Sequence, residues 1–68
     1  MSKWQKVYQD NLEHRAEIVK AVLEDKDIPA VVVSKKDSAY QFGHFEVLVE
    51  QDDVMKSMKI IEDDVHFE

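Results

Sequence analysis

The sequence predicts an α+β domain of order β-α-β-β-α, a ferredoxin-like sheet with two helices on one face and its last strand short or missing. Three observations predict it. A helical apolar stripe starts at Leu12, a β-branched run fills Ile28 to Ser34, and strict alternation over His44 to Glu50 precedes a second helical stripe. One domain takes all 68 residues, with its core over about residues 3–62 and a tail over 63–68.

Strand one is read at Lys3 to Gln9, where Trp4, Val7 and Tyr8 suit a pleated surface and Asp10-Asn11 stops the strand. Plain alternation puts Trp4 and Tyr8 on one face and Val7 on the other. Helix one then carries Leu12, Ala16, Val19 and Leu23 on one side, with Ile18 and Val22 alongside. Asp10 and Glu13 have the spacing of a capping box, and either Asp10 or Asn11 is a candidate cap. Asp25-Lys26-Asp27 offers no core residue and Pro29 cannot continue a helix, so the chain turns near Asp27.

Strand two spans Ile28 to Ser34, with Pro29 marking its beginning or a sheet edge. A loop of nine residues, Lys35 to Gly43, follows, longer than the two to five residues a plain hairpin needs. Gly43, the chain's only glycine, is expected to supply a positive φ or a bulge there. In strand three Phe45, Val47 and Val49 share one face, and His44, Glu46, Leu48 and Glu50 share the other. Asp52-Asp53 starts helix two, whose stripe is Val54, Met58, Ile61 and Val65, flanked by Met55 and Ile60. Val65 to Phe67 is expected as a short last strand beside strand one, in the same chain or across a dimer. A right-handed strand-helix-strand crossover leaves room for strand three, antiparallel, between strands one and two.

Composition narrows the function. A net charge of −6 opposes a phosphate backbone, which excludes nucleic acid as a partner. No apolar run approaches a membrane span and no signal-peptide core follows Met1, so the expected compartment is the cytoplasm. The chain has no cysteine to brace its small core, and self-association is the remaining common remedy. His14, His44 and His66 fall on separate elements without metal-ligand spacing, and no nucleophile has a base beside it. Neither a cofactor nor catalysis is expected.

Two candidate sites emerge. Lys35, Lys36, Ser38 and Tyr40, with Arg15 near the start of helix one, combine charge, an adaptable hydroxyl and a stacking ring suited to a small anionic ligand. The same residues also fit structural ends. The lysines guard an edge strand, Tyr40 and Phe42 close the core, and the Arg15 stem covers apolar atoms. Trp4, Tyr8 and Leu48 would point away from the helices and form a homodimer surface.

The runs Ala16 to Glu24, Ile28 to Val33, Lys35 to Ser38 with a following aromatic and Gly43, and Val47 to Val49 resemble a small bacterial family, the putative prokaryotic signal-transducing proteins. The resemblance covers roughly residues 6–62. It implies a half-length, ferredoxin-like relative of the nitrogen-regulatory PII proteins, with a role in signalling and no defined molecular function. Where the family often ends helix one with glycine, this chain has Asp27. The nucleotide-binding loops of PII proteins have no counterpart, so no ATP or 2-oxoglutarate site is implied. The expectation is a non-enzymatic cytoplasmic binding and regulatory module for a protein or a small anion. The alternative is a self-assembly domain with no small-molecule ligand.

Overall fold

The computed structural model describes residues 3–37 and 42–65. Its elements are β1 (Trp4–Asp10), α1 (Glu13–Asp25), β2 (Ala30–Asp37), β3 (Phe42–Glu50) and α2 (Val54–Asp64), with a 3₁₀ turn at Gln51–Asp53 leading into α2. β3 lies between β1 and β2 and is antiparallel to both, as the crossover argument requires. α1 packs on all three strands, and α2 packs on β1, β3 and α1, so the helices share one side of the sheet. The fold is the expected α+β, ferredoxin-like arrangement.

The core lies between the layers. Ala16, Val19 and Leu23 of α1 meet Ala30 of β2, Val47 and Val49 of β3, and Ile28 in the turn between α1 and β2. The alternation of β3 therefore holds as read, with Val47 and Val49 inward. α1 begins without a side-chain cap on Leu12, and the box with Glu13 does not form. Asp10 is still paired with Phe45 in β1, two residues too early to cap, and its Oδ1 instead accepts the Leu12 N–H at 2.9 Å.

The end of α1 is set by Asp27, whose φ of 64° is the one positive value among the described non-glycine residues. The Asp27 N–H donates to Glu24 O and the Ile28 N–H to Leu23 O, both at 3.0 Å, which together close a Schellman motif. Leu23 and Ile28, the residues such a motif brings together, are both core residues. Ile28 thus belongs to the helix stop, and β2 begins two residues later than its apolar run suggests, at Ala30.

Four further expectations are corrected. The loop is not nine residues long: Lys35 pairs with His44, Lys36 with Gly43 and Asp37 with Phe42, which leaves only 38–41 as connection. Polar residues extend the ladder because each strand supplies the other's backbone partner, whatever the side chains are. Gly43 has no positive φ; a Cβ there would lie 3.1 Å from the Lys35 carbonyl oxygen, so its role is close approach of the two strands. In α2 the buried position is Ser57, while Met58 is 54% and Met55 86% exposed, because the 3₁₀ turn starts the helix at a phase that turns Val54, Ser57, Ile60 and Ile61 inward.

The fourth correction is Tyr8. The β1–β3 register shifts between Lys6 and Tyr8, leaving Val7 as an extra residue. Such a bulge reverses the in-and-out parity of the residues after it. Tyr8 pairs with inward-facing Val47 and packs on the core with Val7, so it does not share a face with Trp4. α2 ends at Asp64 and Val65 is extended, but the expected strand at Val65 to Phe67 falls mostly outside the described residues.

Candidate functional site

With both helices on one side, none of the described residues covers the opposite face of the sheet, and the pairing register assigns its residues. Outward from Leu48 on the central strand, Lys6 lies directly across on β1 and Val31 on β2, Trp4 sits diagonally beside Glu50, and Val33 is opposite Glu46. Trp4 is 43% and Val31 37% exposed, which are high values for large apolar groups. Leu48 and Val33 are half-buried between them. The result is an apolar patch spanning all three strands.

Two pairs of polar groups on this face are hydrogen-bonded. His44 Nε2 and Glu46 Oε2 stand 2.9 Å apart, and that hydrogen bond is the main reason the Glu46 carboxyl is held below its ordinary value, with Lys6 and Lys35 adding attraction. The Lys6 ammonium donates to Gln9 Oε1 at 2.9 Å. Lys6 and Lys35 on this face balance Glu46 and Glu50, in a chain whose net charge is −6.

Of the proposed anion-site residues that are described, Lys35 and Lys36 take opposite faces of the sheet. Lys35 pairs with His44 and so lies on the open face, whereas Lys36, paired with Gly43, lies on the helix side. Ser38 and Tyr40 fall outside the described residues. Arg15 is on the helix side and occupied: its Nη1 stands 3.7 Å from Asp10 Oδ2. The same oxygen accepts the Tyr8 hydroxyl at 2.6 Å. Burial first, and the Asp10 carboxylate second, push the Tyr8 pKa up to about 12, while the Tyr8 hydroxyl leads the effects that hold Asp10 below its usual range. This cluster fastens β1 to the start of α1.

Among the described residues, no three histidine or acidic side chains lie close enough to hold a metal. An open groove along α1, lined by Ile18, Ala21 and Val22, has Asp25, Lys26 and Asp64 at its rim.

A family model described as "putative prokaryotic signal transducing protein" matches residues 4–63, from the first residue of β1 to the last residue but one of α2. The chain belongs to this family. No curated protein and no solved structure matches it. For this member of the signal-transducing family, Val31, Val33 and Lys6 are surface residues that reading each strand singly did not select. The signal was present: once β3 is assigned its faces, antiparallel pairing carries the same face onto every second residue of β2.

Proposed function

We propose that the domain is a non-catalytic regulatory module of a signalling system, and that its working surface is the open sheet face. The observation that carries this reading is the coincidence of an apolar patch, Trp4, Val31 and Leu48, with local charge balance on an otherwise acidic chain. Apolar centres with paired polar groups around them suit a protein surface, where fully buried large side chains supply most of the binding energy. The partner is accordingly a protein with an apolar contact region and mixed charges of its own. An anionic metabolite fits less well, since Lys35 and Lys36 diverge and Arg15 already faces Asp10. The wide exposure of the face also offers no enclosed volume in which a reaction could exclude water.

The test is complementation of a deletion strain by folded variants. Trp4→Ala with Leu48→Glu should abolish complementation, because a charge in an apolar contact is costly, while Lys35→Glu with Lys36→Glu should retain it. The reverse pattern would return the function to the lysines and overturn the reading.

A further inference from the structure

We infer that the partner seated at the edge of this sheet is a second copy of the chain, joined through β2 in antiparallel register centred on Val33. The inference goes beyond the interaction-module reading: the second copy sits at the sheet edge and leaves the open face available to another protein. It starts from the two edges of the three-stranded sheet, each of which, among the described residues, leaves backbone groups free to pair.

The edges differ. β1 carries the bulge at Val7, which breaks the outer ladder and twists the strand away from a flat approach. β2 pairs with β3 over eight consecutive positions, Ala30 to Asp37, without a shift, so its outer edge is regular. Pro29 stands just before it. Within β2 the only charges lie toward one end, at Lys35, Lys36 and Asp37, leaving Val31 to Ser34 unguarded.

A two-fold axis makes the contact isologous, so each residue meets the one at equal distance on the other side of the axis. Alternate residues of β2 direct their N–H and C=O outward, and two copies can share hydrogen bonds only when residues of equal parity meet, which places the axis on a residue rather than between two. Axes at Lys35 or Lys36 set like charges opposite each other and are excluded. An axis at Val33 sets Val33 against itself, Val31 against Lys35, Val32 against Ser34 and Ala30 against Lys36. No like charges meet. Pro29, which has no N–H, closes the ladder at both ends. The lysine stems lie over the apolar residues facing them, and the two open-face patches merge into one across a six-stranded sheet.

The chain contains no cysteine, so single-cysteine variants report cleanly. Sedimentation at about 100 μM, a generous concentration for a weak interface, should show a dimer. Val33→Lys should shift it to monomer with unchanged circular dichroism, and Leu48→Glu, on the same face but on the central strand, should leave it dimeric. Val33→Cys should give a covalent dimer with a short bismaleimide, and Met55→Cys, on the exposed side of α2, should not. Should Val33→Lys fail to fold, the cysteine pair decides alone. A monomeric wild type, or equal crosslinking at both cysteines, overturns the inference. A dimer that dissolves with Leu48→Glu, whether or not it survives Val33→Lys, moves the contact to the open face, which defeats the edge pairing and leaves the proposed function standing.

Discussion

Replacing Asp27 with glycine should raise the stability of the domain, and the structure gives the size. Asp27 holds a φ of 64°, where an L-residue's Cβ crowds the following carbonyl at a cost of about 1 to 2 kcal/mol. Glycine removes that cost but gains freedom in the unfolded chain worth about 0.5 to 1 kcal/mol, so the net conformational gain is about 0.5 to 1 kcal/mol. A second contribution is electrostatic. The last turn of α1 has no basic residue, and an acidic group beyond a helix C-terminus is repelled by the exposed carbonyls by about 0.3 to 0.5 kcal/mol. Together these give about 1 kcal/mol, or a rise in Tm of roughly 4 to 8 °C for a domain this small. Thermal and urea unfolding monitored at Trp4 would measure it. Asp27→Asn keeps the Cβ and removes only the charge, so it should recover about a third of the gain, and that third should shrink in salt. If Asp27→Gly is neutral or destabilising, or if Asp27→Asn matches it, the left-handed backbone is not the source of the strain.

Ser57 is fully buried on α2 and its Oγ has no hydrogen-bond partner among the described residues, so Ser57→Ala should stabilise by about 1 kcal/mol, read from the same melts; a loss of stability would show that the hydroxyl has found a partner. The raised Tyr8 pKa means folding favours the neutral phenol: its contribution is complete below the unfolded value of 10.0 and is lost as pH rises toward about 12, so absorbance titration should show one tyrosine ionising late, in step with alkaline unfolding. Asp10 has the opposite sign. Its folded pKa is depressed, so its contribution is present above the ordinary carboxylate range and falls away as acid protonates it, and Tyr8→Phe should shift the acid limb of the stability curve toward higher pH.

The elements of this fold are legible in the sequence because their signals are periodic. α1 and β3 show the 3.6 and 2.0 spacings plainly, and their order with β2 leaves one sensible topology. What stays hidden depends on two strands at once. The Val7 bulge has no mark of its own, since glycine is absent from β1 and the shift exists only relative to β3. The ladder through Lys35 to Asp37 is hidden for the same reason: solvated strand ends are polar, and only a pairing partner distinguishes them from loop. The candidate surface inherits both effects. Trp4 and Leu48 lie on the open face as alternation predicts, Tyr8 is turned inward by the bulge, and Val31 and Val33 pass as core because a continuous valine run carries no alternation to read.

The extra residue at Val7 has a consequence for how β1 can vary. Because the strand obeys one parity before it and the other after it, its two halves are tied to β3 independently, and Val7 is the residue whose removal would leave the rest of β1 on its present faces. Smoothing the bulge without a deletion, by sliding the second half one residue along β3, would instead carry the Tyr8 ring and Asp10 together out to the side of Trp4, away from Arg15 at the start of α1. The bulge is thus a joint between two registers. It lets one short strand offer Trp4 to the open face and Tyr8 to the core.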